Sequence, residues 1–191
     1  MNNTAETSKV GIDKLTSYSF QCFTNEEMKE IKKVIKENIF QQEDPSKPAG
    51  AEPSAKIGKF FPIYTVPLVE LLHPWLYQCQ KLNKDIFGYD IYWQFHLDFM
   101  NYNVYDETGK YDWHIDATPN VSSDIKLTCL LNLSEETYEG GEFHLINHPN
   151  KIKFESGMGL IFPSLLAHKV TPITRGERIT LTYWGVGPAW K

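Results

Sequence analysis

"IYWQFHLDFMNY", residues 91–102, is where the period of the chain changes. Ile91, Trp93, Phe95, Leu97 and Phe99 alternate with Tyr92, Gln94, His96, Asp98, Met100 and Tyr102. That two-residue repeat belongs to a half-buried strand, not to a helix. The apolar set is expected to pack on helices, leaving a more polar set on the other side of the sheet. Short strands are expected to follow at "KLTCLLNL" (126–133), "GEFHLI" (141–146), "KIKFE" (151–155), "GMGLIFP" (157–163) and "ERITLTYWGV" (177–186). Upstream the pattern is helical. "TNEEMKEIKKVIKENIF" (24–40) starts with a capping box, Thr24 and Glu27, and carries an apolar stripe of Met28, Ile31, Ile35 and Ile39. "VPLVELLHPWLYQCQKLNKDIFG" (66–88) is a second helix, broken or restarted at Pro74 and stopped near Gly88. Between them, residues 41–59 have three prolines and no apolar period, which predicts a mobile surface loop.

Helices first and then many short strands imply an α+β, mainly β fold. The expected form is an antiparallel jelly roll with the N-terminal helices packed on the outside of one sheet. The 191 residues are read as a single domain, with a helical portion over 1–90 and the jelly-roll core over 91–191. A formal net charge of −5 gives no electrostatic footprint for nucleic acid or an anionic membrane. No apolar run approaches the roughly 18 residues that span a bilayer. Cys22, Cys79 and Cys129 are an odd number without a CxxC pair, which points to a reducing, cytoplasmic setting.

A polar inner face in such a barrel is costly unless it lines a site. Within "YDWHID" (111–116), His114 and Asp116 stand two apart, so both can face the interior. His168 follows in "LLAHKV", and Arg178 heads "RITLTYW". By parity Arg178, Thr180, Thr182 and Trp184 share one face, while Ile179, Leu181 and Tyr183 share the other. Two histidines and one carboxylate occupy one side of a divalent metal and leave positions open for substrate and oxygen. A fixed arginine holds a remote carboxylate in a two-pronged pair. A second His-x-Asp, His96 and Asp98, lies deep in the long strand and is read as two structural polar residues. His144 and His148 are read as hairpin and surface residues, and His73, on a helix before Pro74, as no ligand. Trp113 and Trp184, next to proposed ligands, are candidates for a pocket wall, and Gly140 and Gly141 for a turn of positive φ.

The set "YDWHID … H … RITLT" resembles the Fe(II)- and 2-oxoglutarate-dependent dioxygenases, particularly their prolyl-4-hydroxylase-like branch, from about Tyr92 to Trp184. The resemblance implies a double-stranded β-helix in which His114, Asp116 and His168 ligate iron. Arg178 would bind the C5 carboxylate of 2-oxoglutarate, assisted by Thr180 or Thr182. Asn132 occupies the place of a residue beside that carboxylate. Tyr102 matches the family's cosubstrate tyrosine if three residues are inserted before Tyr111. Tyr105 keeps ungapped spacing, but parity puts it on the opposite face without a bulge, so Tyr102 is preferred. The implied cofactors are Fe(II), 2-oxoglutarate and O2, with ascorbate as a possible stimulant. The implied reaction hydroxylates an unactivated C–H, with peptidyl proline as first expectation, and releases succinate and CO2.

Alternatives are a small-molecule or free amino-acid hydroxylase, a nucleic-acid demethylase, and a non-enzymatic cupin-like metal-binding module. Negative charge, and a tryptophan where the demethylase strand usually has a second arginine, count against nucleic acid. Partners are therefore a peptide or a small molecule. Residues 41–59 and the turn 106–110 are expected to cover the barrel mouth.

Overall fold

A computed structural model describes residues 16–39, 55–95, 99–117, 124–134 and 138–189. Its strands are numbered here in chain order. The larger sheet runs β1 (Tyr18–Gln21), β9 (Met158–Pro163), β6 (Ile125–Asn132), β12 (Arg178–Val186), β4 (Phe99–Tyr105), β3 (Lys59–Tyr64). The smaller runs β2 (Lys56–Ile57), β5 (Lys110–His114), β10 (His168–Val170), β8 (Phe143–Leu145). A short pair joins β11 (Ile173–Arg175) to β7 (Glu139–Gly140). Every pairing is antiparallel. No described helix is long and apolar enough to cross a membrane.

The two faces of the larger sheet bury different things. Leu130, Met158, Leu160 and Phe162 meet Phe143, Leu145 and Val170 of the smaller sheet in one apolar cluster. The alternate residues Leu127, Cys129, Leu131, Leu181 and Tyr183 join a second cluster with Met28, Ile31 and Ile35 of α1 (Asn25–Glu37) and with Leu72, Trp75 and Cys79 of α2 (Val69–Leu82). Helix α1 begins as its sequence predicts. The Thr24 amide donates to Glu27 Oε2 at 2.8 Å, and the Glu27 amide donates back to Thr24 Oγ1 at 3.4 Å. Cys79 and Cys129 touch across the helix–sheet contact although they are distant in sequence, and burial pushes the Cys79 thiol up. All three cysteines are free.

Several local expectations are corrected. Helix α2 passes through Pro74 without a break. Proline forfeits one bond, to the carbonyl of Glu70 in the exposed first turn, where water can replace it. A π turn (Asn83–Phe87) and left-handed Gly88, φ 66°, then end the helix as expected. Residues 91–95 lie outside any strand, and Ile91, Trp93 and Phe95 pack against the helical cluster as isolated side chains. From Phe99 the alternation is in the opposite phase: Phe99 is exposed, while Met100 and Tyr102 are buried with the helices. "KIKFE" contributes only a single bridge, Ile152 to Phe143. The 41–59 expectation falls mainly outside the described residues. At its end Lys56 and Ile57 form β2 against Tyr111 and Lys110. β3, "KFFPIY", has no counterpart among the expected strands and holds Pro62. It is tolerated there because β3 is the last strand of its sheet.

Candidate functional site

β5 and β10 bring the expected ligands together. His168 is the register partner of His114, and a bulge on β5 leaves Val170 opposite Tyr111. The extra residue turns both Tyr111 and His114 inward, and their rings stack with centroids 3.4 Å apart. Asp116 follows just past the strand, where its amide and that of Ala117 both donate to the Ser164 carbonyl. The nearest ligand atoms of His114, Asp116 and His168 all lie within 4.8 Å of one another.

The histidine tautomers are set by the backbone. His114 Nδ1 lies 2.8 Å from the Asp112 carbonyl and His168 Nδ1 lies 3.0 Å from that of Leu166. A proton on each Nδ1 leaves both Nε2 lone pairs free to converge, each 3.7 Å from an Asp116 oxygen. Burial, and after it the neighbouring His168, pull His114 down to about 4, so it is neutral at pH 7 and ready to ligate. Asp116 is itself held. Its Oδ2 accepts from Thr128 Oγ1 at 2.6 Å and from Trp184 Nε1 at 3.1 Å, and Ser164 Oγ lies 3.0 Å from the same threonine. Thr128 and Ser164 escaped the sequence reading, since nothing in a strand sequence says which hydroxyl a distant carboxylate will meet. Trp184 lies where parity put it, and its indole fastens Asp116.

Across the inner face, β12 places Arg178 opposite Tyr105, Thr180 opposite Asn103 and Thr182 opposite Asn101. Arg178 is 2% exposed, and its Nε and Nη2 have no hydrogen-bond partner among the described residues. Its guanidinium carbon sits 5.7 Å from the Tyr105 ring and 5.7 Å from the Phe154 ring. Tyr138 hydrogen-bonds the guanidinium, and burial lowers its proton affinity. Gly141, φ 60°, leaves room for it: a β-carbon there would meet Arg178 Cδ at 2.8 Å. Thr180 is buried on this face, and Thr182 Oγ1 accepts from Asn103 Nδ2 at 3.1 Å.

Three expectations change. Tyr102 pairs with Leu181 and lies in the helical cluster, so Tyr105 is the tyrosine that faces the site. Strand parity does not carry across the turn from β4 to β5, which lie in different sheets. Trp113 is 46% exposed, beneath the Lys169 ammonium at 5.0 Å. It points away from the pocket because the bulge reserves the inner positions for Tyr111 and His114. Asn132 is already committed: Nδ2 donates to the Phe154 carbonyl at 2.8 Å and Tyr138 Oη at 3.3 Å, while Oδ1 accepts from the Ser134 amide at 2.9 Å. It reaches Arg178 only through Tyr138.

The described histidines outside the cluster have partners of their own. His96 and Asp98 lie outside the described residues. His144 pairs with Glu142, His148 bonds the Asn150 carbonyl and His73 stacks on Tyr77. The 106–110 turn is fastened by bonds between Thr108, Gly109 and Ile173, which make it a fixed corner of the barrel.

Residues 100–185 match the family described as the 2OG-Fe(II) oxygenase superfamily. The matched stretch is just under half of the chain. A PKHD-type hydroxylase of Shewanella frigidimarina is 39% identical over 93 residues, 44% of this chain and 41% of that protein. One from Xylella fastidiosa is 35% identical over 97 residues, 44% of this chain and 42% of that protein. The chain thus aligns with about two fifths of the length of these curated relatives. Solved structures extend the likeness in fold. The viral collagen prolyl hydroxylase of Paramecium Bursaria Chlorella virus-1, in a 2OG complex, has TM-score 0.65 and 17% identity over 90% of this chain and 96% of that one. A Trichoplax adhaerens prolyl hydroxylase, bound to a hypoxia inducible factor peptide fragment, has TM-score 0.65 and 18% identity over 92% of this chain and 85% of that one. The chain therefore shares the jelly-roll fold of these solved structures.

Proposed function

We propose that this protein is an Fe(II)- and 2-oxoglutarate-dependent dioxygenase that hydroxylates an unactivated C–H, with a peptidyl proline as first candidate. One observation carries the reading. A buried arginine without an acid partner among the described residues faces the same barrel interior as a His-Asp-His cluster. A buried guanidinium with two donors unmet costs the fold stability unless a carboxylate arrives to use it. The donor set, two imidazoles and one carboxylate, suits a divalent iron with positions left open.

His114, Asp116 and His168 would hold the metal, and Arg178 the far carboxylate of the cosubstrate. A bound iron would supply oxygen activation coupled to oxidative decarboxylation of the 2-oxo acid, giving succinate and CO2. The protein's own part is placement. Backbone carbonyls fix the histidine tautomers, while Thr128 and Trp184 hold Asp116 in one rotamer. Tyr105 and Phe154 wall the arginine off from water, which sharpens its preference for an anion. Helices α1 and α2, as the backing of the larger sheet, would keep β12 and β4 rigid beneath it. The likeness to PKHD-type hydroxylases, and the peptide carried by the Trichoplax adhaerens enzyme, support a peptide substrate.

The test is turnover. Purified protein with Fe(II), ascorbate and 2-oxoglutarate should release succinate and add the mass of one oxygen atom to proline-containing peptides. His114→Ala, Asp116→Ala and His168→Ala should each abolish both metal binding and succinate release, with His144→Ala as control. Metal binding without succinate release under any condition would leave a cupin-like binding module instead.

A further inference from the structure

A second cation lies in the same chamber. Lys56, from β2, is 8% exposed and makes no ion pair among the described residues. Its Nζ donates to Asn103 Oδ1 at 2.9 Å and is ringed by Phe60 at 5.2 Å, Tyr111 at 5.2 Å and Tyr105 at 5.6 Å. A lone ammonium is seldom buried this far, because desolvation is costly and an exposed alternative is always open to a flexible lysine. Burial indeed pulls Lys56 down to about 8, with Asp116 opposing.

Two rings place this ammonium between the halves of the site. Tyr111, under Lys56, stacks on His114. Tyr105 has Lys56 at 5.6 Å and Arg178 at 5.7 Å from its ring centroid. Asn103 joins Lys56 to Thr182 on β12, so the lysine is tied to the inner face rather than to the rim. The chamber therefore holds two buried cations along one path, Arg178 at the deep end and Lys56 beside the ligand cluster. One carboxylate on the arginine leaves the lysine still in want of an anion.

We propose that Lys56 is a cosubstrate-positioning residue that pairs with the carboxylate of a 2-oxo acid at the end nearer His114, Asp116 and His168, complementing Arg178 at the other end. This rests on the proposed 2-oxoglutarate chemistry and adds a residue to it. A 2-oxo acid with a single carboxylate should then depend on Lys56 but not on Arg178, whereas 2-oxoglutarate should depend on both.

The experiment is anaerobic calorimetric binding to the Mn(II)-loaded protein, with 2-oxoglutarate and 2-oxobutyrate as probes. Lys56→Met should weaken both probes by roughly tenfold or more, the loss expected for a charge-assisted hydrogen bond. Arg178→Met should weaken 2-oxoglutarate strongly and leave 2-oxobutyrate within about threefold, since that probe has no second carboxylate to lose. Lys56→Arg, which keeps the charge, should restore much of the binding lost in Lys56→Met. Unchanged 2-oxobutyrate binding by Lys56→Met overturns the assignment and makes the lysine a structural tie or a contact for the primary substrate. Loss for 2-oxoglutarate alone overturns it too, because Lys56 would then be assisting Arg178. Failure of Lys56→Arg to recover any binding marks the loss as one of packing and has the same consequence. If the unsubstituted protein binds neither probe, the proposed function itself falls.

Discussion

Replacing Arg178 by methionine should separate folding from function. In the free protein this guanidinium is 2% exposed and leaves Nε and Nη2 without partners among the described residues. Each unmet buried donor costs roughly 1–3 kcal/mol. The Tyr105 and Phe154 rings return on the order of 1–2 kcal/mol each. The balance lies between about −2 and 4 kcal/mol, centred on a burden of about 1 kcal/mol that a similarly long apolar side chain does not carry. Arg178→Met is therefore expected to leave the unliganded protein as stable as before, or more stable by up to about 3 kcal/mol. For a chain of this size each kcal/mol moves Tm by about 2–4 °C. Binding should move the other way: losing the carboxylate's charged partner costs on the order of 2–4 kcal/mol, roughly 30- to 1000-fold in affinity for 2-oxoglutarate. Urea denaturation of metal-loaded protein, with and without 2-oxoglutarate, reads both numbers at once, since a ligand stabilises only the form that binds it. The reasoning is refuted if the variant is destabilised by more than about 1 kcal/mol and still gains stability from 2-oxoglutarate as the unsubstituted protein does.

Two further outcomes follow from the walls of the site. Trp184→Phe removes the indole bond to Asp116 and should lower Mn(II) affinity by about 10- to 100-fold with little change in fold, as followed by metal titration. An unchanged titration would reduce Trp184 to a space-filling role. Tyr105→Leu should weaken 2-oxoglutarate binding by roughly tenfold, because it strips one aromatic wall from Arg178 and from Lys56. Tyr102→Phe, on the helical side, should leave the same isotherm within about twofold; the reverse ranking would mean that the face of β4 has been misassigned.

The sequence by itself determined the features that depend on neighbours a few residues away. The Thr24–Glu27 cap, the apolar stripe of α1 and the stop at Gly88 are encoded within single turns. The alternation of "RITLTYW" likewise put Arg178, Thr180, Thr182 and Trp184 on one face, because strand parity is local and β12 has no irregularity until Gly185. His-x-Asp also fits His96 and Asp98, so it was the ordered set with His168 and Arg178, through its resemblance to a family, that named the cluster the structure assembles. Parity failed wherever the backbone stopped being one continuous strand. It reversed between Phe95 and Phe99, it did not cross the 106–109 turn to choose between Tyr102 and Tyr105, and the β5 bulge turned Trp113 outward. Pairing between remote segments was equally out of reach. β2 is two residues long and has no pattern of its own. Only its register against Tyr111 carries Lys56 out of an apparently polar loop and into the chamber beside Asn103. Thr128 and Ser164 meet Asp116 for the same reason: which hydroxyl reaches a carboxylate is fixed by how β6 and β9 align, and that alignment is held by the packing of both sheets together.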